Sequence, residues 1–281
     1  MRLSWGDFCL DFSKKTCIMG ILNVTPDSFS DGGLFFDKLK AVEHALSMQD
    51  DGADIIDIGG QSTRPGAEEI SEDEEIERVI PVITALSGRL RIPISIDTYR
   101  SSVAEQAINA GASMINDISG LHFDRRMPEV AARYKLPVVI MHMKGTPKDM
   151  QDDPRYDALI PEIMDYLREG IIRAEDAGVA GDMIVIDPGI GFGKTLEHNL
   201  QIIRHLDEFT QLEKPLLLGT SRKSFIGRIL GGLPPAERIE GTAATVAIGI
   251  MKGANIIRVH DVKEMSRVAG VADAIKKGHL I

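Results

Sequence analysis

Gly52-Ala53-Asp54-Ile55-Ile56-Asp57-Ile58-Gly59-Gly60-Gln61-Ser62-Thr63-Arg64 is the stretch on which the fold turns. It opens with a helix-stopping glycine and passes through a short apolar run. It ends in polar and charged residues. The run is continuous rather than alternating, as expected of a strand buried on both faces. The pattern recurs at Cys17–Leu22, Pro93–Ile96, Ser113–Asn116, Pro137–Met141, Ile184–Ile186, Pro215–Leu218 and Asn255–Val259, which makes eight runs with Asp54–Ile58. Amphipathic stretches with helix signals separate them. Ser71-x-x-Glu74 and Ser102-x-x-Glu105 read as capping boxes. Pro128, Pro161 and Pro235 suit first helical turns. Gly52, Gly111 and Gly253 each stop a helix just before a strand.

Eight strand–helix units predict an α/β chain folded as a closed (β/α)8 TIM barrel with a short N-terminal extension. An open doubly wound sheet would also alternate. The barrel is favoured because the unusual residues fall at strand C-terminal ends all along the chain. The first sixteen or so residues precede the first unit and are expected to cap the barrel floor as a hairpin. Lys144–Tyr156, polar and holding two prolines, reads as a loop. No linker or low-complexity tract divides the chain, so residues 1–281 read as a single domain.

Composition narrows the function. Apolar residues make up 43% and charged residues 26%, which excludes wholesale disorder. The net charge of −10 argues against nucleic acid as a partner, because phosphate neutralisation needs a basic face. No apolar run reaches the roughly 18 residues of a membrane span, and acids interrupt the N-terminus where a signal peptide would be apolar. Two cysteines, Cys9 and Cys17, form no disulfide framework. The expectation is a cytoplasmic protein with no membrane partner.

The strand ends carry the chemistry: Asn23, Gly59 to Arg64, Asp97, Asn116-Asp117, His142, Asp187, Ser221-Arg222-Lys223 and Arg258 with His260. Any one of these could merely cap a helix or form a turn. Eight such ends meeting at one mouth point to a site. Asp97, Asn116 and Asp187 suit a flat heterocycle bearing ring N–H and amino groups, because a carboxylate facing both makes a two-point contact. Arg64, Lys223, Arg258 and His260 suit an anion beside it. The run Pro188-Gly189-Ile190-Gly191-Phe192-Gly193-Lys194-Thr195 fails both the Walker and the dinucleotide patterns. It reads as a tight turn that lets a ligand approach the backbone, with Phe192 as an apolar wall. H-x-H and H-E-x-x-H metal motifs are absent from the sequence.

These residues resemble the bacterial dihydropteroate synthases. Met19 to Gly33 (Met-Gly-Ile-Leu-Asn-Val-Thr-Pro-Asp-Ser-Phe-Ser-Asp-Gly-Gly) matches the family's first signature. Asp57 to Gly66 looks like the second, with Gln61 where many members have Glu. Ser95–Thr98, Ile115–Ile118, Met141–Met143, Asp187–Lys194, Gly219–Ser224 and Arg258–Asp261 follow in the family's order. The resemblance implies a pterin-binding TIM barrel, a homodimer, that joins p-aminobenzoate to 6-hydroxymethyl-7,8-dihydropterin diphosphate with Mg2+. Asp97, Asn116 and Asp187 would hold the pterin edge, Lys223 would reach the pterin, and Arg258 would pack on its face. Met141, Phe192 and Gly219 would complete that pocket. Asn23 would help bind the metal, and Arg258 and His260 the diphosphate. Thr63, Pro65, Phe29 and Ser221, with Arg64 on the same loop, would form the aminobenzoate pocket. Asp31 would lie near the reacting centre, so that Asp97, Asp31, Lys223 and Arg258 form the catalytic set.

The chemistry agrees. A carbocation conjugated to the dihydropterin ring needs stabilisation and protection from water, whereas an arylamine needs no strong base. Thr25–Phe36 and Ser62–Ile70 therefore read as lids. A methyltetrahydrofolate–corrinoid methyltransferase would share the acidic pterin clamp. It would not need the Thr-Pro-Asp-Ser-Phe, Ser-Thr-Arg-Pro-Gly and Ser-Arg-Lys segments. A non-catalytic pterin-binding barrel would be expected to lack Asn23 or the cations.

Overall fold

The computed structural model describes residues 1–25, 33–62, 66 and 68–279, with residues 33–37 described in backbone only. Two short antiparallel strands come first, β1 (Arg2–Trp5) and β2 (Phe8–Asp11). Eight parallel strands follow: β3 (Cys17–Asn23), β4 (Ile55–Gly59), β5 (Ile94–Asp97), β6 (Met114–Asp117), β7 (Val138–Met141), β8 (Ile184–Asp187), β9 (Leu217–Leu218) and β10 (Ile256–Val259). Between and after them lie α1 (Gly33–Asp50), α2 (Glu72–Leu86), α3 (Ser101–Ala110), α4 (Met127–Tyr134), α5 (Leu159–Asp176), α6 (Leu196–Arg204), α7 (Ser224–Ile229), α8 (Ile239–Met251) and α9 (Val262–Lys277). The strand order is β8-β7-β6-β5-β4-β3-β10-β9, and a bridge between Ile186 and Leu216 joins the two ends. The sheet is therefore a closed barrel rather than an open one. Each predicted apolar run became a strand, with ends shifted by one or two residues.

The continuous apolar runs follow from burial on both faces. Ile18, Ile56, Ile58, Ile96, Ile115, Ile140, Ile186 and Ile257 point outward and pack under the helices. Met19, Ile55, Met114, Val139, Val185, Leu217 and Ile256 point inward as one apolar layer low in the barrel. Leu3, Trp5 and Leu10 of the β1–β2 hairpin pack on that layer and cap the barrel floor, as the sequence predicts.

The local signals held in part. Ser71 caps α2 by accepting from Glu74 N–H at 3.1 Å, but the Glu74 carboxylate turns to Arg78 at 2.5 Å, so the box is half formed. Ser102 is not a cap: α3 already starts at Ser101, whose N–H is taken by the Asp124 carboxylate at 2.9 Å. A side chain from another loop thus does what the local motif was expected to do. Pro128 and Pro161 sit in the first turns of α4 and α5, whereas Pro235 opens only a short 3-10 turn. Gly52, Gly111 and Gly253 have φ of 105°, 122° and 108°, so each helix ends where only glycine turns without strain. The first expected lid is shorter than its sequence suggests, because residues 33–36 begin α1.

Leu3 is fully buried on the barrel floor. Leu3→Ala should lower stability by about 2–4 kcal/mol, read as a lower Tm, with ligand affinity at the far end unchanged. A loss below about 1 kcal/mol would mean that the hairpin is not part of the core.

Candidate active site

Strand side chains alternate, so on β4, β6, β7, β8 and β10 the inward set that begins with the apolar layer continues two residues later, and on β5 it follows the buried Ser95. The next inward positions are Asp57 on β4, Asp97 on β5, Asn116 on β6, Met141 on β7, Asp187 on β8 and Arg258 on β10. The register pairs Asp97 with Asn116 and Met141 with Asp187 on neighbouring strands. Within one two-residue step the barrel interior changes from hydrocarbon to ionic. The step lies at the C-terminal ends of the strands, where (β/α)8 barrels carry their sites.

Arg258 is the centre of this layer. Its Nε donates to Asp57 Oδ2 at 2.6 Å and its Nη2 to Asp97 Oδ2 at 2.6 Å. Asn116 Nδ2 donates to the same Asp57 oxygen at 2.9 Å. Asp57 Oδ1 and Ser95 Oγ, at paired positions on β4 and β5, are buried without a hydrogen bond. Asp187 Oδ1 accepts from Gly189 N–H at 2.7 Å. Lys223 Nζ lies 4.2 Å from the Phe192 ring centroid and sits in the field of Asp187, Asp97 and Arg258. Gly219 lies beside Arg258, with room for a ligand against its backbone. Ser221 Oγ and His260 Nδ1 are 3.0 Å apart at the rim.

Burial sets the charge states. It pushes the Asp97 carboxyl up, to about 7, against the pull of Arg258. It pushes Asp187 up to about 6, with Gly189 N–H, Lys223, Lys194 and Arg258 opposing. It brings Lys223 down to about 8, helped by Arg258, while Asp187 and Asp97 resist. Near neutral pH Asp187 is therefore ionised and Lys223 protonated. Both lie close enough to their transitions for a ligand to change them. His260 is held near 3 by burial and the cations around it, so it is neutral.

The structure brings together Asp97, Asn116, Met141, Asp187, Phe192, Gly219, Ser221, Lys223, Arg258 and His260. Asn23 ends β3 beside Gly59 of β4. Phe29, Asp31, Thr63, Arg64 and Pro65 lie outside the described residues. Three strand-end residues do other work. Asp117 points outward and accepts from Ser119 N–H and Leu121 N–H at 2.7 and 3.1 Å, fixing its own loop. Arg222 is bound through Nε and Nη2 to both Asp261 oxygens. His142 turns away and meets Lys194 Nζ at 2.8 Å.

Two residues were missed as members of this architecture. Asp57 was visible as the charge inside Ile55–Ile58, a place where a strand buried on both faces has no use for one. Lys194 gave only the signal of a lysine after a glycine-rich turn. It is buried, bonded to His142 Nδ1 and to Phe192 O at 2.9 Å, and its pKa is well below normal through burial. Among the described residues there is no cluster of three or more His, Cys, Asp or Glu that could hold a metal. No helix there is long and apolar enough to cross a membrane.

Residues 19–260 match the pterin binding enzyme family. A dihydropteroate synthase of Bacillus subtilis is 53% identical over 95% of this chain and 90% of its own length. One of Clostridium beijerinckii is 54% identical over 98% and 99%. The dihydropteroate synthase of Yersinia pestis, solved with a sulfonamide drug complex, superposes with a TM-score of 0.93 at 46% identity and covers 99% of this chain and 100% of that one. The Xanthomonas albilineans enzyme, solved with 4-aminobenzoic acid, has a TM-score of 0.91 at 41% identity, with 98% of each chain covered.

Asp57→Asn should weaken the grip on Arg258 and lower stability by about 3 kcal/mol, because a buried cation loses one of its two carboxylates. Chemical denaturation measures this. A change within about 0.5 kcal/mol would show that Asp97 alone holds Arg258.

Proposed function

The chain belongs to the dihydropteroate synthases of the pterin-binding enzyme family, and from that membership we propose how its residues divide the work. The reaction condenses 6-hydroxymethyl-7,8-dihydropterin diphosphate with p-aminobenzoate to give 7,8-dihydropteroate and pyrophosphate, a pterinylmethyl transfer in folate biosynthesis. One observation carries the proposal: Asp97, Asn116, Asp187, Lys223 and Arg258 occupy one layer at the barrel mouth, acids and cations interleaved.

In this reading ionised Asp187 accepts from the pyrimidine N–H and amino groups of the pterin, a charge-assisted two-point contact. Asn116, held by Asp57, presents its carboxamide to the same edge. Protonated Lys223 donates to a pterin acceptor, and the Phe192 ring walls the pocket. Arg258 lies flat against the ring, fixed by Asp57 and Asp97. Residues 1–281 act as one pterin-binding unit.

The route is dissociative. The C–O bond to the diphosphate breaks with its electron pair leaving on oxygen. The carbon left behind is a cation delocalised into the dihydropterin ring and faced by the Asp97 carboxylate. The arylamine lone pair then forms the C–N bond and the nitrogen releases a proton. Asp31 belongs to this catalytic set by its place in the motif. Thr63, Arg64, Pro65 and Phe29, with Ser221, form the aminobenzoate pocket. His260 and Arg258 receive the diphosphate.

Mg2+ suits this site. Asn23 offers a hard oxygen at the strand end, and this ion commonly takes only one or two protein oxygens, with phosphates and water completing its shell. Bound there, it would neutralise charge on the departing diphosphate. Enzyme, Mg2+ and the pterin diphosphate without p-aminobenzoate should release pyrophosphate slowly, and Lys223→Met should abolish the release. Pyrophosphate that appears only with the amine present would exclude the dissociative order.

The homodimer rests on an apolar face. Ile248 and Met251 of α8 and Val271 and Ile275 of α9 are 47%, 50%, 62% and 67% exposed. Such a patch on neighbouring helices is what a self-association surface requires. Free Cys9 and Cys17 fit a reducing cytoplasm. Protein drawn from the soluble cytoplasmic fraction should sediment as a dimer, and Met251→Glu with Ile275→Glu as a monomer. An unchanged sedimentation coefficient in that variant would move the interface elsewhere.

A further inference from the structure

The segment that carries Thr63, Arg64 and Pro65 is held at both ends by one short stretch after β5. Tyr99 Oη accepts from Gln61 Nε2 at 3.1 Å, and donates to Glu69 Oε1 at 3.1 Å. A single hydroxyl thus ties the residue before the segment to a residue after it. Arg100 adds to the second end: Nη2 donates to Glu69 Oε1 at 2.9 Å and to Ile70 O at 2.7 Å. Its Nη1 is anchored on Glu75 Oε2 at 2.7 Å, and Glu75 is buried. Arg78 of α2 donates to Gly60 O at 2.8 Å at the first end. The Tyr99 ring is itself fixed, edge-on to Phe123 with centroids 5.5 Å apart.

The residue types match the task. The hydroxyl has one hydrogen and two acceptors within reach, Gln61 Oε1 at 3.3 Å and Glu69 Oε1 at 3.1 Å, and the nearer carboxylate is the stronger acceptor. That leaves the hydroxyl lone pairs for the amide N–H of Gln61, a donor that a glutamate would not supply. Tyr99 also lies two residues beyond Asp97, so the strand end that serves the pterin layer carries the anchor of the neighbouring segment.

We propose that Tyr99 is a positioning residue for arylamine binding: by joining Gln61 to Glu69 it fixes the two ends of the segment bearing Thr63, Arg64 and Pro65. This deepens the reading above and rests on its assignment of those three residues to the aminobenzoate pocket. Fixing both ends of a short segment removes alternative end-to-end separations that binding would otherwise have to select against.

Steady-state kinetics on the full chain test it. Tyr99→Phe keeps the ring on Phe123 and removes only the hydroxyl. The KM for p-aminobenzoate should rise about fivefold or more, while kcat and the KM for the pterin diphosphate stay within about twofold. Gln61→Met should raise the same KM by less, because it removes one of the two bonds. The double variant should match Tyr99→Phe alone, since both substitutions break a shared contact. A merely structural tyrosine would instead raise both KM values together and lower Tm. That result, an unchanged KM for p-aminobenzoate, or additive effects would overturn the proposal. Thr63→Ala separates the two levels. If it raises the arylamine KM while Tyr99→Phe does not, the clamp falls and the pocket stands. If Thr63→Ala leaves that KM unchanged, the pocket assignment falls and the clamp with it.

Discussion

A guanidinium held between two carboxylates inside a barrel is the constraint around which this site is arranged. Arg258 cannot shed its charge, and a lone buried cation would be very costly. Asp57 and Asp97 resolve this with two hydrogen bonds of 2.6 Å. The same bonds orient three groups at once. Asp57, drawn toward Arg258, also receives the Asn116 amide, so the carboxamide has a defined direction. Asp97 keeps its other oxygen for a ligand. The guanidinium plane becomes a fixed surface rather than a mobile side chain. Removing either acid would disturb all the others, which is why the layer acts as a unit.

Behind the layer, the loops after β7 and β8 are locked together rather than draped over the surface. A Cβ on Gly189 would sit 1.9 Å from the His142 carbonyl oxygen, and one on Gly193 would sit 2.3 Å from that of Lys144. Only glycine permits this contact, and the φ values of 70° and 63° require it as well. Lys194 closes the joint through His142 and Phe192 O. Burial holds both Lys194 and His142 below their usual pKa values, which disfavours two like charges side by side in this joint. Tyr156 and Gln151 add bonds of 2.7 Å to Gly193 O and Gly191 O. Phe192 is thus presented to Lys223 by a rigid turn. The glycines that resemble a nucleotide loop serve close packing of two backbones.

The same physics explains what could be read from the sequence. Strands buried on both faces leave continuous apolar runs, and eight of these fix the barrel. Polar residues at their ends mark the mouth, so Asp97, Asn116, Asp187, Lys223 and Arg258 were legible as a group. Which way a strand-end residue points was less so. Asn116 and Asp117 are adjacent and both polar, yet the pleat sends one into the site and the other to its own loop. Ser102 looked like a cap because its spacing to Glu105 is right, but Asp124 lies far along the chain and its approach leaves no local trace. Lys194 and His142 pair across two loops for the same reason. Contacts between segments distant in sequence depend on the fold itself.

The layer's composition bears on the chemistry. It sets three carboxylates, Asp57, Asp97 and Asp187, against two cations, Lys223 and Arg258. With Asp97 ionised it carries one negative charge in excess, and with Asp97 protonated it is balanced, so a positive ring draws the layer toward its ionised form. An interior with that excess favours a flat ring that becomes positive over one that stays neutral, because charge interactions are strong where water is excluded. Loss of a diphosphate from the pterin produces such a ring. A pocket built only to hold the neutral pterin ring would gain nothing from the surplus and would bear its desolvation cost in the ground state. The apolar layer beneath, capped by Leu3, Trp5 and Leu10, supplies the burial that offsets this cost. On the dissociative route proposed above, the charge imbalance would act at the moment the carbon–oxygen bond breaks, and the ionic layer would favour the transition state over the substrate.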